Sequence, residues 1–135
     1  MTNVLVTHSA RDDLDALWDQ DEDSAAEIET ALEEIANDPK LADRLSERKF
    51  RNTQTPSYDV DVFQKLWQKG LNLYRLKFWD WNGSLLPYRV LYAHHPQANC
   101  FYVLAVVPRN FDYDIDHPIV QRVLADYKYL GIPTY

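Results

Sequence analysis

The stretch 74-YRLKFWDWNGSLLPYRVLYAHHP-96 decides how this chain is read. On either side of Asn82-Gly83, a turn signal, the residues alternate with a period of two, the signature of strands with two unlike faces. In the first run Tyr74, Leu76 and Phe78 fall on one face, with Arg75, Lys77 and Trp79 on the other. In the second run, 88-YRVLYA-93, Arg89 alternates with Tyr88 and Val90. Two Tyr-Arg dipeptides therefore open two neighbouring strands, and each sends its tyrosine towards a core and its arginine to the opposite face. A third run, 100-CFYVLAVV-107, is apolar on both faces, as a central strand is, and Arg109 follows it with Tyr113 a few residues on. An Arg75–Lys77–Arg89–Arg109–Tyr113 group on one sheet face is geometrically available.

Outward from these strands the period changes to that of helices. Residues 3-NVLVT-7 are a short β-prone run, and Ser9 opens S-A-R-D, a capping-box pattern ahead of a helix from about Ala10 to Gln20. Ser24 repeats the device with Glu27, and Ile28, Leu32 and Ile35 mark a second helix that stops before Asp38-Pro39. Leu41 to Ser57 reads as a helical turn and a loop. Residues 57–69 carry Val60, Phe63, Leu66 and Trp67 as a helical stripe with Gly70 as C-cap, so the spacing predicts an inserted helix over 57–69. A C-terminal helix is expected over about 118–130, opened by His117-Pro118 and striped by Ile119, Val123, Tyr127 and Leu130. The fold class that follows is α+β: a single domain over 1–135, with a small antiparallel sheet, the N-terminal helices packed on one face, and a C-terminal helix.

The chain has 135 residues and a formal charge of −7, enough for a core without staples. The acid is unevenly spread. Residues 1–47 hold 3 Lys/Arg against 14 Asp/Glu, residues 48–109 hold 9 against 3, and residues 110–135 hold 2 against 4. Local clustering sets the field at a surface, so an acidic helical face and a basic sheet can share one small domain. The single Cys100 forms no intramolecular disulfide and fits a reducing, cytoplasmic setting. No secretory signal opens the chain, and 100-CFYVLAVVP-108 is too short to span a bilayer. His94-His95 lacks partners at metal-ligand spacing, and Asp112, Asp114 and Asp116 do not complete a calcium loop, so no metal and no cofactor is expected.

Read in order, Tyr74-Arg75-Leu76-Lys77, Tyr88-Arg89-Val90-Leu91-Tyr92, Arg109 and Tyr113 resemble the RelE/ParE superfamily of type II toxins, in its RelE-like branch. SARDDLDALWDQD and the acidic helix ending in NDP fit it too. The resemblance implies a metal-independent endoribonuclease that cuts mRNA in the ribosomal A site, the substrate 2′-hydroxyl attacking the adjacent phosphate. It implies as partners a cognate antitoxin, the ribosome and mRNA, with no membrane. Arg89 and Arg109 are then the phosphate-stabilising groups, since a planar guanidinium fork matches phosphate oxygens. Tyr113 orients the hydroxyl or stacks on a base, and Lys77 holds the backbone or serves as base. Arg75, Lys77 and Trp79 form the RNA-binding set. Arg75 stands where the best-known branch has a lysine, and arginine stays protonated, so the base role passes to Lys77 or a histidine. The alternative is a ParE-like inhibitor of gyrase, or a toxin fold acting by binding only.

Overall fold

A computed structural model of the chain describes residues 2–135. The hairpin predicted around Asn82-Gly83 forms its centre. β4 (Leu73–Trp79) and β5 (Leu85–His95) pair antiparallel, with Tyr74 opposite Tyr92, Arg75 opposite Leu91, and Lys77 opposite Arg89. The turn between them is closed by Asp80, whose Oδ1 accepts from the amides of Asn82 and Ser84, each at 2.9 Å. Gly83 there has φ +81°, a left-handed conformation that glycine adopts without steric cost. β6 (Cys100–Pro108) lies antiparallel on the other side of β5 and is central, as its two apolar faces require.

Two additions complete the sheet. β1 (Asn3–Val6) pairs with β6 in parallel, so the sheet is mixed rather than wholly antiparallel. On the far side, β3 (Ser57–Val62) pairs antiparallel with β4, and the two-residue β2 (Arg51–Asn52) edges it. The strand order is β1-β6-β5-β4-β3-β2. β3 corrects the helix expected over 57–69, of which only the single turn α4 (Gln64–Trp67) is helical. The apolar residues of SYDVDV satisfy both periods over so short a run. The alternation Tyr58, Val60, Val62 wins because it buries all three against β4's core face, while Ser57, Asp59 and Asp61 stay half-exposed.

α1 (His8–Gln20) and α2 (Glu22–Asn37) pack on one face, where Leu14, Leu17, Ile28 and Ile35 meet Tyr74, Leu76, Phe78, Val90 and Tyr92. Both helices start earlier than their serines suggest. Thr7 caps α1 by accepting from the Ala10 amide, and Asp21 caps α2 by accepting from the Ser24 amide. Ser24 instead lies buried in the first turn, its hydroxyl donating to Asp21 at 2.8 Å. The short α3 (Pro39–Ala42) follows. α5 (Pro118–Tyr129) begins at Pro118 as expected, capped by the His117 ring, which accepts from the Ile119 amide. It covers part of the opposite face of the sheet, where Val120, Val123 and Tyr127 join Leu73, Leu91, Ala93, Ala105 and Val107.

β1 pairs only with the first half of β6, which leaves that strand's edge open beyond Val103. A side-chain pair takes its place. Asp13 of α1 accepts from the Val106 amide at 3.0 Å, and Arg122 of α5 donates to the Leu104 carbonyl at 3.2 Å. The two residues also bind each other at 3.0 and 2.7 Å. The pair clips the helices of opposite faces together across the strand edge. Asp13→Ala leaves the part-buried Val106 amide without its acceptor and leaves Arg122 only the Leu104 carbonyl, so a loss of about 2 kcal/mol is expected in urea unfolding. Asp13→Asn, which keeps an acceptor for Val106, is expected to lose roughly half of that.

Candidate functional site

The face opposite α1 and α2 carries the polar residues of the central strands. Strand alternation puts Arg75, Lys77 and Trp79 of β4 there, and the register sets Arg89 of β5 directly beside Lys77. These four residues share the face that their period of two assigns them. The surroundings differ from an open basic plane, because α5 covers the β5–β6 end and β3 lines the other side with two carboxylates.

Those carboxylates, Asp59 and Asp61, sit opposite Lys77 and Arg75 respectively. Arg75 reaches both. Its Nη1 donates to Asp59 Oδ1 at 2.7 Å, and its Nη2 lies 3.7 Å from Asp61 Oδ2. The Arg75 side chain is only 14 % exposed. Asp61 has further partners in the Val62 amide, at 2.8 Å, and Arg48 Nε, at 3.7 Å. Sequence reasoning missed both aspartates because it placed them on a helix; the signal that would have found them is the alternation in SYDVDV. Trp79 carries the Arg51 guanidinium over its ring at 3.5 Å from the centroid, a cation–π contact that occupies one ring face.

The Lys77 side chain makes no hydrogen bond or ion pair among the described residues. Burial lowers its pKa from the usual lysine value, and the neighbouring Arg75 and Arg89 lower it further, against the opposing pull of Asp59 and Asp61. Arg89 has no carboxylate partner among the described residues. Its Nη1 donates to the Tyr113 hydroxyl at 3.2 Å, and its guanidinium lies 5.9 Å from that ring's centroid. Its Nε is buried without an acceptor.

Tyr113 is held firmly. It packs edge-on against Phe63 at 4.8 Å and against Phe111 at 5.2 Å between centroids. Its φ of +58° is a left-handed conformation rare for an aromatic residue, and such strain persists only where the surroundings impose it. The loop after it is organised by its own aspartates, Asp112 accepting from the Asp114 amide and Asp114 from the Asp116 amide. Arg109 stands just past β6, anchored by its amide on the Pro87 carbonyl at 2.8 Å, and its side chain is exposed and unpaired among the described residues.

His94 stacks on Phe101 at 4.5 Å, and burial, with His95 adding to it, lowers its pKa. The two histidines are not drawn into the site. Among the described residues no group of three or more His, Cys, Asp or Glu is placed to hold a metal ion. No described helix is long and apolar enough to cross a membrane.

A mixed sheet with two acidic helices on one face and Lys77, Arg89 and Tyr113 gathered on the other defines a small α+β protein of the RelE/ParE architecture. A family model for the ParE toxin of type II toxin–antitoxin systems matches residues 4–113, which run from β1 to Tyr113. The chain belongs to that family, within the RelE/ParE superfamily of toxins, and the family implies an antitoxin as partner. No curated protein and no solved structure gave a significant match. α5 and the tail after it lie beyond the matched residues.

Proposed function

We propose that this toxin is a ribosome-dependent, metal-independent mRNA endoribonuclease. The observation that carries the reading is the register that sets Lys77, whose side chain has no hydrogen-bond or ion-pair partner among the described residues, directly beside Arg89, whose guanidinium is in turn oriented by Tyr113. A neutral Lys77 amine takes the proton of a substrate 2′-hydroxyl. The freed oxygen attacks the adjacent phosphorus, the bond to the 5′-oxygen breaks, and that oxygen leaves with a proton from solvent. Arg89, with Arg109 at the rim, stabilises the charge that builds on the phosphoryl oxygens, which matters more in the transition state than in the ground state. Trp79 borders the path of the RNA backbone, while the Arg75 guanidinium is engaged by Asp59 and Asp61.

Burial and the neighbouring arginines lower the Lys77 pKa from the usual lysine value, so its neutral fraction near neutral pH exceeds that of an exposed lysine and grows as the pH rises. The cleavage rate on mRNA-loaded ribosomes is therefore expected to climb with pH until it reaches the lowered pKa. Lys77→Arg keeps the charge and removes the base. Its rate is expected to fall about 100-fold and to lose that climb. Intact message at every concentration of purified wild-type protein would falsify the ribonuclease reading.

A second reading is a toxin that inhibits gyrase by binding alone. The Asp59–Arg75–Asp61 cluster favours it, since one of the four cations of the basic group is neutralised within the sheet. A supercoiling assay separates the two: unchanged gyrase activity together with cut mRNA removes the second.

A further inference from the structure

We propose that Arg75 is a positioning residue: by holding Asp59 it keeps that carboxylate off Lys77 and leaves the Lys77 amine unpaired beside Arg89. The part of this that concerns catalysis rests on the ribonuclease reading above; the pairing does not.

The sheet register alone predicts different partners. On one face of an antiparallel pair, directly opposite residues approach most closely, and diagonal neighbours are farther apart. Direct pairing would join Asp59 to Lys77 and Asp61 to Arg75. The observed tight contact is instead the diagonal one, Arg75 to Asp59 at 2.7 Å, with the second nitrogen of the same guanidinium towards Asp61. A guanidinium fork can engage two carboxylates at once, whereas an ammonium is a single point charge. Asp61 has the Val62 amide and Arg48 besides. Asp59 has no other hydrogen-bond or ion-pair partner among the described residues, so its carboxylate is the one that Arg75 controls.

The charged groups facing Lys77 are Asp59 and Asp61 from β3, Arg75 from its own strand and Arg89 from β5, while Tyr113 reaches the site through Arg89. With Arg75 removed, two cations lie directly across from Asp59, Arg51 on β2 and Lys77 on β4; the Arg51 guanidinium is already held over the Trp79 ring, which leaves Lys77 to pair with the carboxylate. That new ion pair would hold Lys77 protonated and turned towards β3, away from Arg89. Arg75 thus acts on the site through Asp59.

The test is a double-mutant cycle read on Lys77 itself, with its ammonium titrated by heteronuclear NMR in the full chain. Asp59→Asn alone is expected to lower the Lys77 midpoint by only about 0.3 pH unit, because Asp59 pulls on Lys77 while its tight contact is with Arg75. Arg75→Gln is expected to raise the midpoint by about one unit, and adding Asp59→Asn to it should reverse most of that rise. Simple loss of a neighbouring charge would also raise the midpoint, but then the two substitutions add. Additivity, or a fall of about a unit with Asp59→Asn alone, overturns the proposal. Should Arg75→Gln lose its dispersed amide spectrum, the Asp59→Asn titration decides by itself. In ribosome-dependent cleavage at neutral pH, Arg75→Gln is expected to be about tenfold slower and the double variant to recover most of that loss. Wild-type protein that leaves mRNA intact removes the ribonuclease reading while the titrations still decide the pairing. Wild-type cleavage together with an additive cycle removes the pairing alone.

Discussion

Arg89→Ala is expected to lower mRNA cleavage on ribosomes by about 1,000-fold, the largest functional effect of any single change in this site. Three features set that size. Arg89 is unpaired with any carboxylate among the described residues, so its full charge is available to a phosphoryl group. It is half-buried, which strengthens its field relative to an exposed guanidinium. It is also preorganised by the Tyr113 hydroxyl at 3.2 Å, and Tyr113 is wedged between Phe63 and Phe111. Arg89→Lys keeps a charge but not the planar fork, so an intermediate loss of roughly 30-fold is expected. The measurement is single-turnover cleavage, with a urea melt of each variant as the folding control. Wild-type rates from Arg89→Ala would take this residue out of the chemistry.

Tyr92→Ala is expected to cost about 4 kcal/mol of folding stability, the largest stability effect considered. Tyr92 lies three residues beyond Arg89 and shares its Tyr-Arg-Val-Leu-Tyr motif, yet it points to the other side of the sheet. It is 1 % exposed, stacks on Tyr74 at 5.5 Å and meets Phe101 edge-on at 6.0 Å. Its hydroxyl donates to the Leu45 carbonyl at 2.6 Å, which ties the turn after α3 to the centre of the sheet. Burial holds its pKa well above the usual tyrosine value, so the ring stays neutral. Tyr92→Phe keeps the packing and orphans only that carbonyl, for an expected loss of about 1.5 kcal/mol. Equilibrium urea unfolding measures both. A Tyr92→Phe loss equal to that of Tyr92→Ala would mean that the hydrogen bond, not the ring, carries the stability.

The contrast between these residues shows what kind of information a strand motif holds. A period of two assigns faces, so the local order of residues is enough to send Tyr74 and Tyr92 to the core and Arg75, Lys77 and Arg89 to the opposite face. The C-terminal helix is equally legible, because Pro118 follows a capping residue and Val123 and Tyr127 keep helical spacing. Helix starts are legible to within a few residues only. Thr7 and Asp21 rather than Ser9 and Ser24 are the caps, since several polar residues in each stretch can accept from an amide and packing selects among them. β3 is not legible as a strand, because six residues of SYDVDV followed by Phe63 and Leu66 satisfy a helical stripe as well as an alternation. The open edge of β4 is what chooses between them.

That one element changes the reading of the site. The residue types on β4 and β5, their faces and their order along the chain follow from local rules that act within a few residues. Side-chain period, turn chemistry and segmental charge are rules of this kind. The partner of each charge is a different matter, because residues 16 apart, Asp59 and Arg75, meet only once β3 has docked on β4 in one register. The same holds for Asp13 and Arg122, separated by 109 residues and joined across a strand edge that exists only because β1 is shorter than β6. Ion pairs between strands depend on register and on which edges remain open, and both are settled by the collective burial of apolar faces. The chain's local order therefore specifies a basic strand face, and the assembled sheet specifies that Arg75 is neutralised on it while Lys77 and Arg89 have no carboxylate partner among the described residues.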